Sequence, residues 1–456
     1  MEYLTIKSYH EALNQGADAK QLVRHYLERI DKYDKQGPAI NAIIAVNPNW
    51  EEELDQILQT MDPKAPLFAV PVLVKDNIDV KGMATTAGSL SLVDNIATED
   101  APIIQRIRRA GGLVLAKTNL HEFAIWGETL SSMLGQTKNP YDLTRTPGGS
   151  SGGTGAALAM DFGIVGLGTD TINSVRSPSS ANNLVGLRPS TAILSSDGIV
   201  PYSFTQDTAG PMARNLADVS LLYRVLSDDW RRVEIENKPK VGVLRSFFGS
   251  NPDVLQAMEH VLERLSQSVE LVELDEEFDN QYLIDQVSVH LYDLKDHLNH
   301  YLAQKDNAPV KSFDDIIASG KFHPGIKENL EKAAQLSTTD PAYQPRIAEA
   351  KQWRDRLIRL FDEKDLTALV YPHQQQLICK IGGSQIGRNG VLASITGFCS
   401  LSLPAGFSAQ SDDAPLGVPI GYELLARPGA DLDLLTLGKL VFDETKFVAP
   451  LTGKGV

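Results

Sequence analysis

The chain has 456 residues, 42% hydrophobic and 22% charged, with 43 Lys and Arg against 58 Asp and Glu for a formal net charge of −15. A chain of this length can bury at least one large core, and its acidity works against nucleic acid and anionic membrane surfaces as partners. Cysteine is confined to Cys379 and Cys399, which excludes a disulfide scaffold and fits a reducing compartment.

The opening residues, MEYLTIKSYHEALNQ, lack a basic stretch followed by an apolar run, so no secretory signal is read and a cytoplasmic address is expected. From Asp18, the positions Leu22, Tyr26 and Ile30 recur every four residues with Val23 and Leu27 beside them, which predicts an amphipathic surface helix. The valine-rich run from Phe68 to Val74 predicts a buried strand ending at Lys75-Asp76. Ile103 to Ala110 reads as helix, Leu113 to Ala116 as strand, and a small-residue helix from Gly152 leads to another buried strand at Phe162 to Leu167. Helices alternating with fully apolar strands predict an α/β architecture whose sheet is covered on both faces. From about 250 to 365 the chain turns charged and poor in strand signals, and a helical layer is expected there. Strand-like runs return at Leu366 to Tyr371 and Ser400 to Leu403, so the C-terminal part should rejoin the sheet and all 456 residues form a single domain. The longest charge-free stretch, Asn389 to Ser411, is broken by serines, glycines and Pro404, and reads as buried strand and turns, not a membrane span.

Glycine is unevenly spread: eight of the 35 fall between Gly148 and Gly168. A phosphate-binding P-loop would need a lysine after the last glycine, and Thr154 stands there; a dinucleotide fingerprint would need a third glycine where Leu158 stands. Close packing of a helix on a sheet explains single glycines but not the block Gly-Gly-Ser-Ser-Gly-Gly. The remaining reading is a loop whose small residues bring amides and hydroxyls close to a substrate.

At this point the chain resembles the amidase signature family. The resemblance is carried by PLFAVPVLVKDNI (66–78), GGSSGG (148–153), GTDTINSVRSP (168–178), GLRPS (186–190), QDTAGPMAR (206–214), ITGFCSLSLPAGF (395–407) and GVPIGYELLARP (417–428), in family order nearly end to end. It implies a mixed central β-sheet between α-helices, and an amidase that hydrolyses a carboxylic amide through a serine acyl-enzyme. It makes Lys75 the catalytic lysine, Ser150 the bridging serine and Ser174, 24 positions further on, the nucleophile, with a cis bond between Gly149 and Ser150. The backbone amides of Thr171, Ile172, Asn173 and Ser174 become the oxyanion-hole donors, supported by Gly149, Ser151, Thr169, Asp170 and Arg176.

The chemistry asks for such a set. A serine hydroxyl needs a group to accept its proton, and the sequence offers no histidine near the loop. A lysine at the buried end of an apolar strand loses the solvation that favours its charge and can serve instead. The chain departs from the family where two glycines usually precede the nucleophile: here stand Ile172 and Asn173, which should narrow the pocket, with Ile172 at negative φ. Asp170 and Arg176 are expected to form a buried pair that fixes the loop.

His290, His297 and His300 share a predicted helix with Asp293 and Asp296, without the spacing of a metal site, and are read as a solvated helix face. His121 and Trp126 are read as core or rim residues. No metal or organic cofactor is expected. The expected partner is a small-molecule or peptide amide, with neither nucleic acid nor a membrane span, and a homodimer is compatible with the sequence. Two other readings stay open: a glutamine-hydrolysing amidotransferase subunit that delivers ammonia to a partner, and a non-catalytic binding protein on the same fold.

Overall fold

The computed structural model describes residues 3–442 and 447–451. Eleven strands make one mixed sheet: β1 (Ile43–Val46), β2 (Pro71–Lys75), β3 (Leu113–Thr118), β6 (Val165–Asp170), β7 (Val185–Arg188), β8 (Thr208–Ala213), β9 (Lys240–Leu244), β10 (Glu270–Leu274), β11 (Ala368–Pro372), β12 (Cys399–Phe407) and β13 (Pro419–Ala426). The short pair β4 (Leu130–Ser131) and β5 (Gly135–Gln136) stands apart. The order in the large sheet is β1-β3-β2-β6-β8-β7-β12-β13-β11-β9-β10. β2 runs parallel to β3 and β6, and β9 runs parallel to β10 and β11; the other pairs are antiparallel.

The central strands are buried on both faces because successive side chains point to opposite sides and both sides are covered. On β2, Val72 and Val74 join one apolar cluster with Ile104, Ile107, Leu222 and Val261, while Leu73 between them joins another with Ala156, Ala157 and Met212. The covering helix Pro102–Arg109 shows how local signals and packing agree. Proline opens it, where no intrahelical donor is needed; Ile103, Ile104 and Ile107 form its buried face; and three arginines sit in its last turn.

The segment expected to be helical does carry the helices Pro252–Ser266, His290–Ala303, Phe313–Ser319, Lys327–Ala334 and Tyr343–Lys364, but it also contains β10. That strand escaped notice because it is the sheet edge: Glu270 and Glu273 of its ELVEL sequence are exposed, and charge on an edge strand keeps it from pairing with other chains. The histidine helix differs from expectation as well. His290 and Asp293 are buried, and Asp293 accepts hydrogen bonds from Tyr343 Oη (2.8 Å) and Ser203 Oγ (2.5 Å), so the start of the helix packs on the protein, while His297 is half-buried and His300 exposed. No cluster of three or more potential metal ligands occurs among the described residues. Asn389 to Ser411 contains the helix Val391–Thr396 and β12, and no helix among the described residues is long and apolar enough to cross a membrane.

Candidate active site

Two neighbouring strands and one loop converge on a lysine. β2 ends with Lys75, and its parallel neighbour β6 ends with Thr169 and Asp170 at the same edge of the sheet. The loop that precedes the Gly152–Ala159 helix lays Ser150 against them. Lys75 Nζ lies 2.7 Å from Ser150 Oγ, 2.7 Å from Thr169 Oγ1 and 3.4 Å from the Thr169 carbonyl, and all three side chains are buried. Asn77, two residues after Lys75, donates from Nδ2 to Thr169 Oγ1 (3.1 Å) and to the Val200 carbonyl (3.2 Å). Ser151 exchanges hydrogen bonds with the Thr169 backbone at 3.2 Å, and its own amide donates to the Ser174 carbonyl at 3.2 Å. The bond between Gly149 and Ser150 is cis.

The glycine block is explained by space. A Cβ on Gly153 would stand 2.2 Å from the Asn119 carbonyl oxygen, and one on Gly152 2.3 Å from Thr129 Oγ1. Close packing therefore accounts for the block and not merely for isolated glycines, because Gly149, Gly152 and Gly153 are pressed onto the Asn119–Thr129 segment and Gly148 and Gly155 onto Ser177 and Pro178. The fold also brings a histidine near, contrary to the sequence reading. The His121 amide donates to the Ser150 carbonyl at 3.0 Å, while its ring accepts the Glu128 amide at Nδ1 (3.2 Å). Burial, reinforced by Arg388, lowers the His121 ring to about 3, so it is neutral at ordinary pH.

Burial lowers Lys75 to about 7, against the opposing pull of Asp207 and Asp170. A neutral amine has two N–H groups and one lone pair. The Thr169 hydroxyl and carbonyl can take the N–H groups, which leaves the lone pair for the Ser150 hydroxyl.

Ser174 follows β6 in the turn Thr171–Ser174, and a buried charge network holds that turn from below. Arg176 binds Asp170 through Nε (3.1 Å) and Nη2 (3.0 Å), binds Glu423 of β13 through Nη1 (2.8 Å), and also donates to the Ile172 and Gly390 carbonyls. Arg188 of β7 reaches Asp170 Oδ1 at 3.0 Å. Glu423 is further held by His373 Nδ1 (2.7 Å) and Tyr371 Oη (3.2 Å). Burial alone would raise the Asp170 carboxyl, but Arg176 and Arg188 outweigh it and hold the group well below the usual carboxylate range. The expected Asp170–Arg176 pair is thus part of a larger set whose members balance in charge.

Asp170 Oδ2 accepts the Val175 amide at 3.0 Å. The amides of Thr171, Ile172, Asn173 and Ser174 enter no hydrogen bond among the described residues, and these four residues line a cavity of about 1060 Å³. Thr171 Oγ1 donates to the carboxylate of Asp207 at 2.6 Å, which also accepts the Tyr202 and Ser203 amides at 2.9 Å. Neither Ile172 nor Asn173 has positive φ. The Ile172 side chain is half-buried against the cluster that includes Val391 and Leu392, and Ser174 remains open to the cavity. No side-chain hydrogen bond joins Ser150 to Ser174 among the described residues.

The sequence matches the profile of the Amidase family over residues 21–435. The chain belongs to the amidase family. Among its relatives, mandelamide hydrolase of Pseudomonas putida is 30% identical over 467 residues, covering 96% of this chain and 89% of that one. A glutamyl-tRNA(Gln) amidotransferase subunit from Sulfurisphaera tokodaii is 39% identical over 226 residues, spanning 50% of this chain and 47% of its own length. The crystal structure of native peptide amidase from Stenotrophomonas maltophilia superposes with a TM-score of 0.86 at 28% identity, covering 98% of both chains. Fold and family together identify an amide-hydrolysing enzyme with a large mixed sheet flanked by helices.

Several residues of this amidase site were not assigned from the sequence: Asn77, Asp207, Arg188 and Glu423. Each lies inside a motif that carries the family resemblance, in VKDNI, QDTAGPMAR, GLRPS and GYELLARP. The signal was a polar residue embedded in an apolar strand or at its end, where burial without a partner would be costly.

Proposed function

We propose that this enzyme hydrolyses a carboxylic amide to the acid and ammonia or an amine, with Ser174 as nucleophile, Ser150 as relay and Lys75 as base. The observation that supports it most is the buried Lys75 amine, lowered to about 7 and 2.7 Å from Ser150 Oγ. As the Ser174 oxygen attacks the amide carbon, its proton passes to Ser150, whose own proton passes to Lys75. The negative carbonyl oxygen meets the unused amides of residues 171–174. Protonated Lys75 then returns the proton through Ser150 to the leaving nitrogen, the C–N bond breaks, and the acyl group stays on Ser174. Water, deprotonated along the same path, releases the acid. The Ser174 hydroxyl turns toward Ser150 when substrate fills the cavity, as active-site hydrogen bonds commonly tighten on binding. We take the whole chain as one domain that works in the cytoplasm, alone or as a homodimer, without a metal or organic cofactor.

The test is an ammonia-release screen over aliphatic, aromatic and peptide amides with the Ser174→Ala protein as blank, joined to fluorophosphonate labelling. Labelling at Ser174 and turnover that vanishes in the variant are expected. Appreciable residual turnover in Ser174→Ala sinks the mechanism, and an unlabelled, inactive wild type favours a binding protein on this fold. The similarity to the glutamyl-tRNA(Gln) amidotransferase protein over half the chain favours one further reading, glutamine hydrolysis that supplies ammonia to a partner. Stable copurification with an ATP-using enzyme is its signature, and glutamine turnover by the isolated chain at a rate matching other amides counts against it.

A further inference from the structure

Of the charged side chains that line the cavity, Asp279, Asp285, Glu328 and Lys332 are exposed, and Arg346 is spent on the Ser288 and Asp285 carbonyls and the Tyr292 ring, whereas Arg388 is drawn into the wall with a side-chain exposure of 13%. Its seat is built by three consecutive residues. Trp126 stacks on the guanidinium at 5.0 Å. Gly127 leaves room for it: a Cβ there would stand 3.0 Å from Arg388 Nη2. Glu128 accepts from Nη2 at 3.2 Å. The same residues grip the loop before Arg388, with Trp126 Nε1 donating to Ser384 Oγ (3.3 Å) and the Gln385 amide donating to Glu128 (3.1 Å). This is a preorganised arginine, oriented by stacking and by a carboxylate that is itself nearly buried.

The clasp leaves most of the arginine unused. A guanidinium carries five N–H groups, and among the described residues that of Arg388 makes a single hydrogen bond, to Glu128. Arg388 lines the cavity onto which Ser174 opens, and its remaining N–H groups have no hydrogen-bond partner among the described residues. Glu128 already balances the charge. A second carboxylate brought to this wall would leave a net negative charge beside the place where the reaction develops an oxyanion, whereas a neutral oxygen would take the free N–H groups without that cost. Trp126, 42% exposed, and Ile386, 68% exposed, form an apolar lip next to the guanidinium, suited to a hydrocarbon or aromatic side chain.

We infer that Arg388 is a substrate-recognition residue that binds a carbonyl oxygen in the acyl part of the substrate. The substrate class is then an amide carrying a second carbonyl near the scissile one, as in an N-acylated amino acid amide or a peptide amide, with its side chain against Trp126 and Ile386. This rests on the amide-hydrolase reading above.

The experiment compares three amides on one skeleton: N-acetylphenylalaninamide, 3-phenylpropionamide, which lacks the acylamino carbonyl, and N-succinylphenylalaninamide, which adds a carboxylate. Wild type is expected to favour the first over the second in kcat/KM. In Arg388→Lys, which keeps a cation for Glu128 but loses the planar fork, that preference should fall about tenfold, the size of one hydrogen bond to a charged donor. Because Arg388→Lys can disturb the loop, the double variant Glu128→Gln/Arg388→Met, which removes the ion pair as a unit, is measured beside it and should lose the preference equally. A preference unchanged in both variants overturns the inference. So does a wild-type preference for the succinyl compound that is lost in the variants, since the group recognised is then a carboxylate. A wild type that turns over none of the three refutes the hydrolase reading itself, whereas turnover with an unaltered preference refutes only the role of Arg388.

Discussion

Replacing Lys75 with methionine should abolish turnover and yet make the fold more stable at neutral and acid pH. The lysine is fully buried, and burial lowers its amine from 10.5 to about 7. A group whose folded pKa lies below its unfolded one destabilises the fold at pH values below the unfolded pKa, and stability rises with pH wherever the unfolded chain holds the extra proton. Here that penalty is complete below pH 7, shrinks between 7 and 10.5, and is gone above. A shift of this size is worth on the order of 5 kcal/mol at about 1.4 kcal/mol per unit. Against it stand the hydrogen bonds to Ser150 and Thr169, each contributing about 1 kcal/mol net. Methionine matches the lysine stem in volume and needs no partner. Urea unfolding of wild type and Lys75→Met at pH 6, 7, 8 and 9 should show the variant ahead by a few kcal/mol at pH 6, with the gap narrowing by about 1.4 kcal/mol per unit above pH 7. In the wild type, kcat/KM should rise with pH through about 7 and level off, because the neutral amine is the base. A stability gap that does not change with pH, or a rate flat from about pH 6 to 8, shows that Lys75 keeps an ordinary amine and refutes its role as base.

Asp207 raises the pKa of Lys75, so Asp207→Asn should move the midpoint of the rate profile to lower pH, and a shift in the other direction contradicts the geometry. Gly153→Ala places a methyl 2.2 Å from a backbone oxygen that cannot step aside; a loss of about 3 kcal/mol or failure to fold is expected in thermal melts, where an unchanged melting temperature shows that the loop is looser than described. Arg176→Met strands Asp170 and Glu423 without their shared partner and should cost about 3–5 kcal/mol by chemical unfolding. Ile172→Gly should widen the cavity beside Ser174 and lower KM for bulky amides more than for small ones, and equal changes across a size series tell against Ile172 as a wall.

The strands that carry the site were legible because they are apolar on both faces. The run before Lys75 could be nothing but a buried strand, and its end placed the lysine where solvent is scarce. Ser150 and Ser174 were legible only through motif resemblance, since no periodicity marks a serine as reactive. Glu423 could not be paired with Arg176 from the sequence: 247 positions separate them, and only the sheet order, which sets β13 beside β12 and under the helix Arg176–Ala181, brings them together. The histidine helix was misread because a polar face was equated with a wet one. Asp293 sits on that face yet meets the hydroxyls of Ser203 and Tyr343, partners that come from distant loops and helices. β10 was missed because its exposed glutamates, which suit a sheet edge, imitate the charge of a surface helix.

The ties from Asp170 through Arg176 to Glu423 bear on how the protein is born. Synthesis delivers Ser174 long before it delivers β13, so during most of translation the serine lies on a turn without its lower support. Arg176 can meet Asp170 early, but its second carboxylate, Glu423, arrives only with the last strand of the sheet. A nascent or clipped chain that ends short of residue 419 therefore carries every group named in the mechanism but lacks the Glu423 carboxylate that completes their support.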